Sequence, residues 1–215
     1  MLTIHAAALL LPGGGLAPVA GGAVAVRDGA VAAFGPYGEL AAAHPGARVR
    51  RWPGVLTPGL LQPDAVRLLE RWYFPDPREA DTLGTEPLTG AALDALGPED
   101  TWRAGSVRRG LHRMLRHGTT ALAAAPDAPP ALLTAARRSG FTVVGAVRTG
   151  SGPDPRLDPL AGAGTVAEAT AAPLAVGARA DLAAFDVPDE AALLAAGAAS
   201  CVATIAAGRL VYRGR

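Results

Sequence analysis

The residues that could carry out acid–base, nucleophilic or metal chemistry are few in this sequence. There are four histidines and one cysteine, and all 20 residues counted as Lys or Arg are arginines. Without lysine, a Schiff-base lysine, a P-loop lysine and a carbamylated lysine that bridges two metals are excluded. The sequence also lacks a Cys-x-x-Cys or His-Glu-x-x-His ligand pair and the Gly-x-Ser-x-Gly turn of a serine hydrolase.

The histidines do not form an obvious ligand set. His112 and His117 are five residues apart within a predicted helix, so their side chains point about 140° apart rather than along one face. His117 directly precedes Gly118, where a histidine interacts favourably with the C-terminal end of the helix dipole. His5 in a predicted strand and His44 before a Pro-Gly turn are interpreted as structural or surface residues. His112 and His117 are retained as candidate catalytic residues.

One polar segment, residues 75–90, concentrates charge in a chain in which only 18% of residues are charged. In one interpretation it is a solvated loop whose carboxylates and Arg78 pair locally. In the other, it is a recognition surface for a small ligand or a partner protein. Acid–base catalysis by two of its carboxylates is a third reading, for which the sequence gives no positional support. The candidate binding residues are Trp72, Tyr73, Asp76, Arg78, Glu79, Asp81 and Glu86.

The elements that must position these residues are β-rich at both ends of the chain. In the first 60 or so residues, two apolar runs flank Asp28-Gly29, which is a strong signal for a hairpin turn, and a short helix is predicted over residues 37–44. From about Ala161 the pattern returns to strands and a short helix. The chain then closes with a hairpin predicted to turn at Ala207-Gly208.

The middle of the chain has a different pattern. A short amphipathic segment at residues 64–73 precedes the polar segment, and a longer helix is predicted to continue to His117, before Gly118. Residues 119–125 and 141–147 are predicted as buried strands on either side of a helix. A strand–helix–strand crossover of this kind is the unit of parallel α/β architecture.

Composition argues against several classes of partner. The formal net charge of +1 gives no general attraction to nucleic acid or anionic lipid. The uncharged run 191–208 is interpreted as helix, turn and strand rather than as a membrane span, and the N-terminus lacks the basic region of a signal peptide. Cys201, interpreted as a core residue at the start of a strand, is the single cysteine and excludes an intramolecular disulfide. We expect a cytoplasmic protein without nucleic-acid or membrane partners.

Three segments together resemble the amidohydrolase superfamily, specifically its imidazolonepropionase-like and cytosine/purine-deaminase-like branch. Residues 55–65, VLTPGLLQPDA, are similar to the Pro-Gly-Leu segment that leads that family into its first barrel strand and its His-x-His pair. Residues 111–124, LHRMLRHGTTALAA, resemble a helix and the Gly-Thr-Thr strand that follows it. Residues 176–187 and 201–215 resemble the C-terminal Gly-x-x-Ala-Asp-Leu segment and Ala-Gly-Arg hairpin.

The resemblance implies an α/β fold with a β-sandwich. Residues 1–60 together with 161–215 would form a composite β-sandwich domain, and residues 61–160 would form a truncated α/β barrel-like domain inserted between them. A complete (β/α)₈ barrel needs about 250 residues, so the later barrel strands look deleted.

The resemblance also locates the family's metal site in this sequence. Its paired histidines fall on Asp64, which could still bind a metal, and on Val66, which could not. The leading interpretation is therefore a protein that has lost metal-dependent hydrolysis, needs no cofactor and binds a ligand or partner.

Two alternatives stay open. One is a hydrolase of carbon–nitrogen bonds other than peptide bonds, such as those of a cyclic amide or an aminated purine-like ring. Its divalent metal would be held by Asp64, a carboxylate of residues 76–86, and His112 or His117. The other is a purely structural subunit. Because an incomplete barrel leaves strand edges to be covered, we expect a homo-oligomer or a complex with a partner protein.

Overall fold

The computed structural model describes residues 1–97, 100–145 and 154–214, which form a mixed α/β protein with several sheets. The strands are β1 (Leu2–Ala6), β2 (Leu9–Leu10), β3 (Val19–Ala20), β4 (Gly22–Arg27), β5 (Ala30–Pro36), β6 (Arg48–Arg51), β7 (Val55–Pro58), β8 (Leu60–Gln62), β9 (Trp72–Tyr73), β10 (Leu88–Thr89), β11 (Thr119–Ala124), β12 (Thr142–Gly145), β13 (Leu182–Phe185), β14 (Cys201–Ala206) and β15 (Arg209–Arg213). The α-helices are α1 (Tyr37–Ala43), α2 (Ala65–Arg71), α3 (Ala80–Leu83), α4 (Gly90–Leu96), α5 (Asp100–Leu115), α6 (Pro130–Arg138) and α7 (Glu190–Ala196).

The chain divides into two compact units. The first comprises Met1–Leu61, Leu115–Ala121 and Asp158–Arg215, and the second comprises Gln62–Met114 and Leu122–Leu157. The N-terminal and C-terminal segments of the chain therefore belong to the same unit.

In the first unit, a six-stranded sheet joins the two ends of the chain in the order β15-β14-β13-β7-β2-β3. Strand β13 runs antiparallel to β7, with Leu182 opposite Pro58 and Phe185 opposite Val55. Every residue of β7 and β13 is buried. Both strands are mostly apolar and lack the alternation that a half-exposed strand shows, and Thr57 is a buried polar residue of β7.

The second sheet of this unit has the order β5-β4-β1-β6. Its predicted hairpin is confirmed: Asp28 and Gly29 have φ values of 52° and 83°, the left-handed conformation that an Asp-Gly hairpin turn requires. The predicted turn at Ala207-Gly208 is likewise confirmed, with φ values of 47° and 73°.

One apolar cluster contains residues of both sheets. Val24 and Val26 come from the four-stranded sheet, and Leu56, Leu182 and Ile205 come from the six-stranded sheet. Their shared burial ties the two sheets into one core.

In the second unit, the strands β9 and β10 pair as a two-stranded sheet among helices α2 to α6. A further sheet has the order β12-β11-β8, and the division between the units passes through β8 and β11. Strand β11 is buried at all six positions, as predicted. The prediction of a second buried strand at 141–147 is wrong for the part that is described, since β12 is half-buried or exposed because it lies at the edge of its sheet. Residues 146 and 147 lie outside the described residues.

The longest helix ends earlier than predicted. Helix α5 stops at Leu115, and the backbone N–H of Gly118 donates to the Leu115 carbonyl in a turn. Gly118 has a φ of 72°, and a Cβ on it would lie 2.8 Å from the Cβ of Ala183 and 2.9 Å from Cζ of Phe185. Only glycine therefore fits where the chain turns against β13.

The uncharged run 191–208 forms α7, a short 3₁₀ turn and β14, as predicted. Among the described residues, no helix combines the length and the apolar character needed to cross a membrane. Cys201 is buried at the start of β14, as predicted, and burial raises the pKa of its thiol to about 11.

His5 is a buried residue of β1 with an unusual environment. Trp52 Nε1 donates to its Nδ1 at 3.1 Å, and the two rings are stacked 10° from parallel. Nε2 of His5 has no hydrogen-bond partner among the described residues. Burial, reinforced by the charge of Arg50, lowers the pKa of His5 from 6.5 to about 4. His5 is therefore neutral at neutral pH.

We expect the stability of the protein to fall as the pH drops from 6.5 towards 4. The unfolded chain takes up a proton on His5 near its ordinary pKa of 6.5, whereas the folded chain resists until about 4. Stability is thus complete above the unfolded pKa and lost through this window, by about 3 kcal/mol for His5 alone. Urea unfolding at a series of pH values measures this loss of stability. His5→Phe should flatten this dependence and His44→Gln should not; an unchanged slope in His5→Phe would contradict the assignment.

Candidate functional site

The Pro-Gly-Leu segment, residues 58–60, joins two strands of the structure. Gly59 lies between β7 and β8, and a Cβ on it would overlap the side chain of Thr120. The backbone N–H of Leu60 donates to the carbonyl of Gly118 at 2.9 Å. This close approach requires a residue without a side chain at position 59.

The two positions that the resemblance assigns to the histidine pair do not lie on a strand. Strand β8 ends at Gln62, a turn follows, and α2 begins at Ala65. Asp64 therefore precedes the helix and Val66 lies in its first turn. Side chains two residues apart point to one side of a strand but to nearly opposite sides of a helix, so these two positions do not share the geometry of a strand-borne ligand pair.

Asp64 is committed to structural contacts within the second unit. Its side chain is only 8% exposed, and its Oδ1 lies 2.9 Å from Nη1 of Arg67. Its Oδ2 accepts a long hydrogen bond, 3.4 Å, from the backbone N–H of Arg156. The carboxylate is thus held by two groups from different parts of the unit.

Gln62 extends this network and was not singled out from the sequence. It is fully buried, and its Nε2 donates to the carbonyls of Arg156 and Leu157 at 3.0 and 2.9 Å. Its Oε1 accepts the backbone N–H of Asp64 at 3.1 Å. A polar residue at the end of an apolar strand is the only sequence signal, and the two carbonyls to which it donates lie more than 90 residues away.

A metal centre of the family's type does not fit these residues. Asp64 is already paired, Val66 has no ligand atom, and lysine is absent from the sequence. Among residues 1–97, 100–145 and 154–214, no three His, Cys, Asp or Glu side chains gather as a possible ligand set. His112 is exposed on α5, and His117 lies beyond the end of that helix, which corrects the prediction that both are helical.

The polar segment at 75–90 begins with a tightly bonded turn. Asp76 caps a 3₁₀ turn, its Oδ1 accepting the backbone N–H of Arg78, while Glu79 Oε2 accepts the backbone N–H of Asp76 at 2.6 Å. The hydroxyl of buried Tyr73 donates to the Glu79 carboxylate at 2.9–3.0 Å. Burial, followed by the hydrogen bond to Glu79 and its charge, raises the pKa of Tyr73.

Helix α5 supplies the cation for this turn. Arg109 donates through Nε to the Phe74 carbonyl at 2.7 Å and through Nη1 to Asp76 Oδ2 at 3.1 Å, and its guanidinium lies 5.8 Å from the centre of the Tyr73 ring. Ser106 Oγ accepts the backbone N–H of Phe74. The local pairing expected in one interpretation is present, but the arginine is Arg109 rather than Arg78.

The remaining candidates of the segment are more exposed. Glu86 lies 3.7 Å from Arg113, which also donates to the Thr85 carbonyl. Arg78 and Asp81 are exposed. A role of these residues in ligand or partner binding stays a prediction.

Trp72, another of the candidate residues, lines a cavity. This cavity, in the second unit, has a volume of about 660 Å³, within the range of about 300–1,000 Å³ typical of small-molecule sites. A cavity in the first unit is smaller, about 190 Å³. The charged and aromatic residues around the larger one are Glu70, Arg71, Trp72, Asp94, Arg103 and Asp154.

The sequence comparison bears on the first unit. A family model of the imidazolonepropionase-like composite domain of bacteria matches residues 22–47, which form β4, its hairpin turn, β5 and α1. The resemblance to imidazolonepropionase-like proteins is confirmed over this stretch. No curated protein matches the chain.

Solved structures similar to this chain include several hydrolases and deaminases. Ochratoxinase from A. niger matches with 20% identity and a TM-score of 0.45, over 67% of this chain and 31% of its own. Guanine deaminase from Bradyrhizobium japonicum matches with 19% identity and a TM-score of 0.44, over 67% and 34%. An amidohydrolase from an environmental sample of the Sargasso sea matches with 18% identity and a TM-score of 0.41, over 68% and 34%. The chain thus spans about a third of the length of these proteins.

We expect Asp64→Ala to destabilise the protein by about 1–3 kcal/mol, because it removes a buried ion pair and leaves the Arg156 N–H without its acceptor. Asp81→Ala, at an exposed position, should change stability by less than about 0.5 kcal/mol. Urea unfolding of the purified variants gives both values. Unchanged stability in Asp64→Ala, together with a loss of bound metal, would show that the carboxylate serves a metal instead.

Proposed function

We propose that this chain is an imidazolonepropionase-like protein that has lost metal-dependent hydrolysis and acts by binding a ligand or a partner. The observation that carries the proposal is the state of Asp64. At a position where the family places a metal-binding histidine, it is a buried carboxylate paired with Arg67. Val66, at the second such position, belongs to a helix.

The proposal includes the domain arrangement. Residues 1–60 with 161–215 would form a composite β-sandwich, and residues 61–160 a truncated barrel. The apolar cluster shared by the four-stranded and six-stranded sheets supports the sandwich. The succession of β11, α6 and β12, with β11 and β12 adjacent in one sheet, supports a remnant of a barrel. A reducing cytoplasm is proposed from the single, buried cysteine.

The chemistry of the family explains why Asp64 and Val66, in place of two histidines, bear on activity. In a metal-dependent hydrolase, the ion lowers the pKa of a bound water and polarises the scissile group. At least three protein ligands usually hold a catalytic zinc. The described residues of this chain bring no such group together, and the carboxylates of Asp64 and Asp76 are bonded within the second unit.

Metal analysis of untagged protein purified from its native host tests this proposal. We expect no stoichiometric zinc, iron or manganese, and no turnover of cyclic amides or aminopurines even after these ions are added. A stoichiometric metal or metal-dependent turnover would overturn the proposal in favour of the carbon–nitrogen hydrolase.

Val66→His is a matched variant for the same assay. It restores one of the two histidine positions at a half-buried site of α2 without disturbing Asp64. Because residues 64 and 66 do not share the side of a strand, the variant should still bind no zinc. Acquisition of one equivalent of zinc would show that the positions retain their chelating geometry.

We further propose that the protein works as an oligomer or in a complex. The β5 edge of the four-stranded sheet is covered, since Val31 exchanges backbone hydrogen bonds with Gly177 and Ala178. The opposite edge is β6, where three of four residues are exposed. An exposed strand edge is a template for pairing with another chain.

Light scattering at micromolar protein concentration measures this association. We expect a species larger than one chain in the purified protein or in a complex recovered with its partner. A monomer in both preparations would contradict the proposed assembly, without bearing on the metal analysis.

A further inference from the structure

The cavity around Trp72 is built by elements of the second unit that the sequence alone does not bring together. Strand β9 follows α2 directly and pairs antiparallel with β10, with Trp72 opposite Thr89. Strand β10 leads without a break into α4, which carries Leu93 and Asp94. The end of α2 and the residues of α4 therefore line one cavity, completed by Arg103 of α5 and by Asp154 and Pro155.

The indole of Trp72 is positioned by a neighbouring aromatic ring. Its side chain is half-buried, and its ring centre lies 6.1 Å from that of buried Phe74, with the two planes tilted by 42°. The backbone of Phe74 is in turn fixed by Ser106 and Arg109. A tryptophan that lines a cavity offers an indole on which a flat ligand can stack, and the position of Trp72 is set by its packing against Phe74.

Two arginines and three acidic residues line the same cavity as Trp72. They are Arg71, Arg103, Glu70, Asp94 and Asp154, all of which are exposed. Within the described part of the chain, none of these five side chains has a hydrogen bond or an ion pair. The carboxylates of Asp64, Asp76, Glu79 and Glu86, in contrast, are all bonded within the unit.

The charge pattern limits the ligand that would fit. A purely anionic ligand would meet the guanidinium groups but also three carboxylates, and a purely cationic one would meet the two arginines. A molecule that carries both an anionic and a cationic group can satisfy both sets. A flat apolar middle would use the indole face, and a volume of about 660 Å³ accommodates a molecule of this size.

We propose that this cavity binds a small zwitterion with a planar ring, its carboxylate held by Arg71 and Arg103 and its ammonium by the surrounding carboxylates. Guanidinium groups bind carboxylates in a bidentate geometry, which favours an anion of that shape over a spherical one. This inference names the ligand class for the binding role proposed above and rests on that role.

Titration with para-(aminomethyl)benzoate, a planar aromatic zwitterion, tests the proposal. The indole N–H signals of the three tryptophans are followed in a proton–nitrogen correlation spectrum, and Trp72→Phe assigns the signal of Trp72. We expect this signal to shift saturably. para-Methylbenzoate, which lacks the ammonium, and benzylamine, which lacks the carboxylate, should each bind at least about tenfold more weakly.

Three variants separate specific binding from general charge attraction. Arg71→Gln and Arg103→Gln should each weaken binding of the zwitterion about tenfold, while Arg137→Gln, an exposed arginine of α6 outside the cavity, should leave it unchanged. No saturable shift of Trp72, equal binding of the three probes, or equal losses in all three variants would overturn the proposal. Each of these results can coexist with a metal-free, inert protein, so the ligand class can fail while the proposed loss of hydrolysis stands.

Discussion

The pairing of β7 with β13 is the contact on which the rest of the structure depends. It joins residues near position 57 to residues near position 183, so the intervening chain must leave the sheet and return. Closing so long a loop costs entropy, but the cost rises only with the logarithm of its length. It is offset by the burial of every side chain in both strands. The two strands therefore fix both ends of the long intervening stretch of chain in one buried sheet.

Beyond β8 the chain changes direction sharply, and buried hydrogen bonds hold it there. A strand continued beyond Gln62 would have carried positions 64 and 66 side by side, but the chain turns and starts α2. Buried polar groups need hydrogen-bond partners, and Gln62 and Asp64 find them in the backbone of Arg156 and Leu157. These two residues lie at the C-terminal end of the second unit. Moving the Asp64 carboxylate towards a metal would break its ion pair with Arg67 and leave the backbone N–H of Arg156 without this acceptor.

Features of this fold that depend on a few neighbouring residues can be predicted from the sequence, whereas features that depend on distant residues cannot. The Asp28-Gly29 hairpin, the Ala207-Gly208 turn and the buried strand β11 were predicted, because turn residues and apolar runs act over a few positions. The early end of α5 was not, because it depends on Gly118 packing against β13, which is distant in the sequence. The candidate site divides in the same way. The charged turn at Asp76–Glu79 was recognised as a charge cluster, but its cation, Arg109, lies 33 residues away from Asp76.

Charge pairing separates the two groups of polar residues that lie close together in the second unit. Around Asp76 and Arg109, charges are bonded to each other and to the backbone, and they contribute to the stability of the turn. Around Trp72, Arg71 and Arg103 are exposed, and solvated surface charges contribute little to stability. The stability of the fold therefore explains why the first group of charges lies where it does. It does not explain why the second group lines the same cavity as Trp72. For the same reason, Arg71 and Arg103 can be replaced with little effect on folding, so a change in binding at this cavity can be attributed to the cavity itself.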